Sequence, residues 1–228
     1  MTARNTRPAV KENSVNARRL AFIVLMASSV LIAGCSRRGQ VADGGVYVTR
    51  SACPQVGIVA GTGDVTLFNP AGSTNASAID VVATMTNVRG TCADDGTNVT
   101  STATFAIVAT RPRTSEARQV ILPYFDIAMQ GGTNVVAKQL GNVVLNFAPG
   151  AVRAQTSSRA TVRISKAAAT LPANVQRELT RERKPGEADA AVDPLSKPNI
   201  RDAVARATFE HLLGFQLTEA QLRYNATR

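Results

Sequence analysis

Few residues in this chain have the types and spacing that catalysis requires. A hydrolase needs a nucleophile beside a base that a third group orients, and the sequence offers one histidine, His211, as that base. His211 falls on the apolar face of a strand pattern over residues 209–217, which favours a core or rim histidine. The sequence contains no G-x-S-x-G elbow and no S-x-x-K pair. It therefore predicts a protein that is not an enzyme, with an unusual hydrolase as the weakest alternative.

Metal and cofactor signatures are missing as well. Zinc would require clustered cysteine or histidine ligands, which the sequence lacks. Residues 94–98 (DDGTN) offer oxygen ligands without the alternating carboxylates of a calcium loop, so a turn is favoured. Gly61-x-Gly63 is not followed by the Lys-Ser/Thr of a phosphate loop. We expect neither a metal nor a cofactor.

The N-terminal segment has the pattern of an export signal. An apolar run over residues 20–31 follows a basic N-terminus that ends in Arg18-Arg19. The run closes with Leu31-Ile32-Ala33-Gly34-Cys35, which resembles the lipobox of bacterial lipoproteins. The resemblance implies that residues 1–34 are removed and that Cys35 is acylated, so that the membrane binds the protein through its lipid. Ser36, in place of Asp, implies transfer to the outer membrane, where we expect the protein to face the periplasm.

Two alternatives to a lipobox stay open. A transmembrane anchor would need about 20 apolar residues, more than the run provides. An ordinary signal peptide could carry a cysteine by chance.

Removal of residues 1–34 takes away five basic residues and one acidic residue, so the formal charge falls from +10 to +6. Aromatic residues for base stacking are sparse and an exported protein rarely meets nucleic acid, so we expect no nucleic-acid partner.

Two further cysteines, Cys53 and Cys92, follow Cys35. In an oxidising compartment two remaining thiols are most simply a disulfide. A redox pair or a metal site is disfavoured by the wide spacing and by the absence of a nearby histidine. We therefore predict a structural Cys53–Cys92 bond.

Short β-favouring runs with turn residues between them fill most of the mature chain. The domain predicted over residues 53–225 is an all-β, antiparallel, immunoglobulin-like β-sandwich, preceded by a lipidated tether over residues 35–52. Gly141 is interpreted as a bulge, and Thr218-x-x-Gln221 as a capping box that opens a short C-terminal helix. Strands are predicted at residues 56–60, 64–68, 79–88, 100–110, 119–129, 135–147, 158–165 and 209–217.

A charged excursion over residues 173–206 interrupts this β pattern. Two parts of it, 173–183 and 200–207, have helical composition, and an excursion of this length is either functional or disordered. Its basic cluster could bind phosphate or carboxylate groups, although interleaved glutamates favour a solvated mixed-charge segment. The cluster consists of Arg177, Arg181, Arg183 and Lys184.

A second basic set lies on the strand predicted at 158–165. Arg159 and Arg163 alternate with apolar residues, so both are expected to face outward, and Arg153 and Lys166 flank them. These side chains suggest a binding module for anionic glycan or lipid. The solvent face of an edge strand is the simpler alternative.

Several motifs together resemble a group of small alphaproteobacterial lipoproteins that are mostly uncharacterised. The motifs are Cys53-Pro54, Cys92, Leu122-Pro123-Tyr124-Phe125 and Gly214-Phe215-Gln216-Leu217-Thr218. The resemblance covers residues 53–225 without the 173–206 excursion, and it implies no activity. The function expected from the sequence is that of a non-enzymatic accessory or adaptor module with an envelope protein partner. Its candidate contact surfaces are the excursion and the turn at residues 94–98.

Overall fold

The computed structural model describes residues 41–42, 45–46, 50–112, 116–184 and 186–227. Cys35 and the predicted signal peptide lie outside these residues. Within the predicted tether, β1 (Val41–Ala42) pairs with β2 (Gly45–Val46). The longer strands are β3 (Gln55–Ile58), β4 (Asp64–Phe68), β5 (Ile79–Asp94), β6 (Asn98–Thr110), β7 (Arg118–Gln130), β8 (Asn134–Phe147), β9 (Arg153–Ser165) and β10 (Phe209–Phe215).

Eight of these strands form two four-stranded sheets. The first sheet has the order β3-β10-β7-β8 and the second has the order β4-β5-β6-β9. Every neighbouring pair is antiparallel except β3 and β10, which run parallel. The fold is therefore an all-β sandwich, as predicted, and the strand order that the sequence left open is now defined.

The inner faces of both sheets bury the apolar half of each alternating pattern. On β5, Val81 and Ala83 are fully buried, and on β9 the inward residues Val162 and Ile164 alternate with exposed Arg163. Burial of this apolar surface is the main force that holds the sheets together. The principal cluster draws on both sheets and consists of Val65, Val81, Ala83, Met85, Ala103, Phe105, Ile107, Ala109, Val120, Leu122, Tyr124, Val143, Leu145, Phe147, Ala154, Ala160, Leu213, Phe215 and Leu217.

Gly141 is not a bulge, contrary to the sequence interpretation. It pairs in regular register with Tyr124, and the register shift of this hairpin lies nearer its turn, between Ala128 and Met129. A Cβ atom at position 141 would come within 2.5–2.6 Å of the Tyr124 ring, well inside van der Waals contact. Glycine is required here by the close approach of an aromatic ring rather than by backbone geometry.

The predicted disulfide between Cys53 and Cys92 is present, with a Cα–Cα distance of 5.9 Å. Cys53 lies just before β3, and Cys92 lies within β5. Because β3 and β5 belong to different sheets, the bond links the two layers of the sandwich covalently.

The 173–206 excursion, which we call the helical cap, is folded. Helices α2 (Ala173–Thr180) and α3 (Pro198–Arg206) follow the short helix α1 (Lys166–Ala169). A separate apolar cluster holds the cap together and consists of Val175, Leu179, Ile200 and Ala203. The charged composition therefore belongs to the surface of a small helical unit with its own core.

Helix α4 (Glu219–Thr227) ends the described chain and confirms the predicted capping box. The Thr218 backbone N–H donates to Gln221 Oε1 at 2.8 Å, and the Gln221 N–H donates to Thr218 Oγ1 at 3.3 Å. No residue of α4 is buried. It is held to the sandwich by an edge-on contact between Tyr224 and Phe68, and by hydrogen bonds from the Asn225 side chain to the Gly61 and Asp64 carbonyls.

Candidate functional surfaces

A buried polar trio crosses the sandwich between the two sheets. Ser101 Oγ lies 3.1 Å from His211 Nδ1, and His211 Nε2 lies 3.7 Å from Asp126 Oδ2. The three residues come from β6, β10 and β7, and their exposed fractions are 1%, 0% and 4%. Nε2 and Oδ2 face each other, and neither has a hydrogen-bond partner in the described part of the chain.

The trio divides the core into two apolar clusters. On each of its strands, the inward neighbour on one side belongs to the principal cluster and the neighbour on the other side to a smaller cluster. These flanking pairs are Val99 and Ala103 on β6, Tyr124 and Ala128 on β7, and Phe209 and Leu213 on β10.

Burial lowers the pKa of His211 to about 4 and raises the pKa of Asp126, because the low-dielectric interior disfavours each charged form.

The trio has the residue types of a hydrolase but not the arrangement. In a serine hydrolase Nε2 faces the nucleophile and Nδ1 faces the carboxylate, whereas here Nδ1 faces Ser101 and Nε2 faces Asp126. Ser101 is also enclosed between the sheets, so a substrate could reach it only if the sandwich opened. The described residues contain no group of three or more His, Cys, Asp or Glu side chains placed to hold a metal ion.

Two of the four residues in the predicted basic cluster of the helical cap, Arg181 and Arg183, form internal ion pairs. Arg183 is buried, and its Nη2 donates to the Glu178 carbonyl at 3.2 Å and to Glu178 Oε1 at 3.3 Å. Arg181 pairs with Glu187 and Asp189. Hydrogen bonding from Lys197, together with these cations, lowers the pKa of Glu178.

The two remaining members of that cluster, Arg177 and Lys184, are exposed. Within the described residues they form no ion pair. The solvated mixed-charge interpretation therefore describes the cap surface, with Arg183 as the exception, and the four basic side chains do not converge on one open site.

Arg159 and Arg163 lie on the exposed face of β9, as their alternation predicts, and β9 is an edge strand of its sheet. The strand register aligns them with other outward residues of β6 and β5. One row contains Arg89, Thr104 and Arg159; the next contains Thr91, Thr102 and Thr161; a third contains Ala93, Thr100 and Arg163. We call these three rows the arginine–threonine face.

Arg89 was not singled out by the sequence analysis. On β5 the inward residues are Val81, Ala83 and Met85, and unbroken alternation would point Arg89 inward too. A bulge between Thr86 and Arg89, with Asn87 at φ 52°, shifts the alternation so that Arg89 faces outward. Asn87 and Arg89, two polar residues that would follow Met85 on the expected apolar face, were the sequence signals for this bulge.

An apolar patch covers the outer face of the opposite sheet. Ile121 and Leu140 are 57% and 68% exposed, and Val144 and Pro123 are exposed as well. Ile121 lies directly opposite Val144 in the β7–β8 register. We call these four residues the β8 face.

The surroundings of the β8 face are polar but poorly charged. Lys138 is the only charged residue of β8, and its Nζ lies 5.7 Å from the centroid of the Phe125 ring. Gln119 and Asn146 are hydrogen-bonded to each other at 3.1 Å beside the patch. An apolar centre that is poor in charge, with a polar rim, is the composition of many protein–protein interfaces.

Comparison with known proteins found no family model, no curated protein and no solved structure that matches the chain. Among the described residues no helix is both long and apolar enough to cross a membrane.

Proposed function

We propose that the mature chain is a lipid-anchored, non-enzymatic accessory protein of the cell envelope, held in the outer membrane and facing the periplasm, which docks a partner protein through the β8 face. The anchor part rests on the lipobox that ends in Cys35. The adaptor part rests on one observation, the exposed apolar patch around Leu140 and Ile121. The enclosure of Ser101 and His211 supports a role without catalysis.

The chemistry of the β8 face defines the partner. Large apolar side chains on a nearly uncharged strand match a protein surface that is itself apolar and poor in charge. Such an interface depends on buried apolar area, so its affinity should change little as salt is raised. The helical cap and the 94–98 turn, which the sequence suggested as contact surfaces, are rich in internal ion pairs and hydrogen bonds.

The test places a photo-crosslinking residue at Leu140 of the full chain in its native cells. The matched control is Leu222 on α4, another exposed leucine, which lies outside the β8 face. A captured protein is then purified, and its affinity for the mature chain is measured at low and high salt with Leu140→Asp and Leu222→Asp. We expect Leu140→Asp to weaken binding about tenfold or more, as for a central interface residue, and Leu222→Asp to have little effect.

Three results would overturn the adaptor proposal. The first is equal capture from Leu140 and Leu222, and the second is an interaction that disappears at high salt. The third is capture of only a second copy of the chain, which would assign the β8 face to self-association. The anchor is tested separately, because Cys35→Ala should move the protein from the membrane fraction to the soluble periplasmic fraction.

A further inference from the structure

The arginine–threonine face carries positive charge without acidic residues in its rows. Arg89, Arg159 and Arg163 are exposed, and the remaining positions of the three rows are threonine or alanine. Strands in a sheet lie about 4.8 Å apart, so Arg89 and Arg159, two strands apart in one row, are separated by roughly 10 Å at the backbone. The result is an exposed array of cations separated by hydroxyl groups.

These arginines have few internal partners. Within the described residues, neither Arg89 nor Arg159 forms an ion pair. The nearest acidic pair along the strands, Asp94 and Asp95, lies at the β5–β6 turn. Asp94 binds Lys166 at 2.8 Å, and Asp95 accepts hydrogen bonds from the Thr97 and Asn98 backbone. Arg163 is close enough to Asp95 to help lower the pKa of that carboxyl.

The threonines add hydrogen-bonding capacity to this charge. The hydroxyl groups of Thr102 and Thr161 lie 3.3 Å apart on neighbouring strands, and Thr91 completes their row. Phosphate oxygens accept hydrogen bonds both from arginine guanidinium groups and from hydroxyl groups. Because the outer side of a sheet is an open surface rather than a concave pocket, it suits a layer of phosphates better than one small anion, which binds best in a concave site.

The predicted tether meets the sandwich at β5, one of the three strands that carry this face. Thr91 is the chain neighbour of Cys92, which is bonded to Cys53 at the start of the sandwich. Fully extended, the segment from Cys35 to Cys53 spans at most about 65 Å, so a lipid on Cys35 keeps the start of the sandwich within that distance of the bilayer. Charge complementarity and this proximity together favour the headgroup layer over a soluble anion.

We propose that the arginine–threonine face binds the phosphate groups of anionic phospholipid headgroups in the membrane that holds the lipid anchor. Its setting rests on the proposed anchor, while the face itself can be tested without it. The contact supplies a second, electrostatic attachment that orients the sandwich and leaves the opposite sheet, with the β8 face, directed away from the bilayer.

The test uses the non-acylated chain from Ser36 onward, which retains every residue that the structure describes. Binding is measured by co-sedimentation with phosphatidylcholine vesicles that contain or lack phosphatidylglycerol. The variant Arg89→Gln/Arg159→Gln/Arg163→Gln is compared with Arg177→Gln/Arg201→Gln/Arg206→Gln. This control removes the same charge from exposed positions of the helical cap.

We expect binding to vesicles with phosphatidylglycerol only. The face variant should bind roughly 100-fold more weakly, at about fivefold per arginine, and the cap variant should bind like the unmodified chain. Circular dichroism verifies that both triple variants are folded. If the face variant is not folded, single substitutions of Arg89, Arg159 and Arg163 replace it.

Equal losses in the two triple variants would overturn the proposal, because net charge alone would then explain binding. Binding that is indifferent to phosphatidylglycerol would overturn it too. A higher affinity for soluble heparin than for the anionic vesicles would assign the face to glycans instead. Failure here leaves Cys35→Ala fractionation unaffected, so the face and the anchor are judged independently.

Discussion

At the scale of single residues, the polar trio makes stability depend on pH. The pKa of His211 is about 4 in the fold and about 6.5 in an unfolded chain, so between these values the unfolded state binds more protons. This contribution to stability is complete above pH 6.5 and is lost as the pH falls towards 4. We expect a loss of about 3 kcal/mol across this window.

Chemical denaturation at several pH values measures this effect. His211→Gln keeps a polar side chain without the titration, so its stability should fall less between pH 6.5 and 4. Asp126, whose raised pKa acts in the opposite direction, requires a parallel Asp126→Asn series. Identical pH profiles for His211→Gln and the unmodified protein would contradict the linkage.

A second residue-scale prediction concerns Gly141. Gly141→Ala places a methyl group against the Tyr124 ring and should destabilise the fold by about 1–3 kcal/mol, as in other overpacked cores. Tyr124→Leu in the same chain should recover part of this loss by removing the ring. If Gly141→Ala alone is as stable as the unmodified protein, the strand adjusts more readily than the contact distance indicates.

At the scale of elements, the sequence predicted the strands but left their order in the two sheets open. Alternation identified the buried faces of β5, β9 and β10 because period-two patterns are local. The sheet order depends on contacts between residues far apart in sequence, such as the parallel pairing of β3 and β10. The trio was missed for the same reason, since Ser101 and Asp126 carry no local mark of their proximity to His211.

The disulfide gives an element-scale prediction. Cys53→Ala/Cys92→Ala frees a loop with a sequence separation of 39 and should lower the free energy of unfolding by about 4 kcal/mol on the chain-entropy model. Guanidinium denaturation of the oxidised, reduced and double-alanine proteins measures the loss. The reduced and double-alanine proteins should agree, and an unchanged midpoint in both would refute the predicted contribution.

The capping box of α4 gives a second element-scale prediction. Thr218→Ala removes the side-chain acceptor for the Gln221 N–H and should weaken α4 by about 1 kcal/mol. Because no residue of α4 is buried, the effect should be confined to this helix. Hydrogen exchange should therefore be faster for α4 amides and unchanged for those of β6. A uniform increase over the whole domain would show that α4 is coupled to global unfolding.

At the scale of the whole molecule, the helical cap and the sandwich have separate apolar cores. Leu179→Ala leaves a cavity in the cap cluster and should cost that unit about 2–5 kcal/mol. Limited proteolysis should then cut within residues 173–206 while the sandwich stays intact. Thr180→Ala, at an exposed neighbouring site, is the control. Simultaneous loss of the β-sheet circular dichroism signal would mean that the cap and sandwich unfold as one unit.

The inter-sheet disulfide has a mechanical consequence for the N-terminal anchor proposed above. Cys53 lies where the tether meets the sandwich, and its bond leads directly into β5, which is paired with β4 on one side and β6 on the other. A pull on the proposed lipid anchor would therefore pass through a covalent link into a central strand. In the reduced protein the same force would act first on β3, which has only four residue pairs with β10. With the proposed anchor, the redox state of the disulfide would thus decide whether such a force acts on the central strand β5 or on the short edge strand β3 of the other sheet.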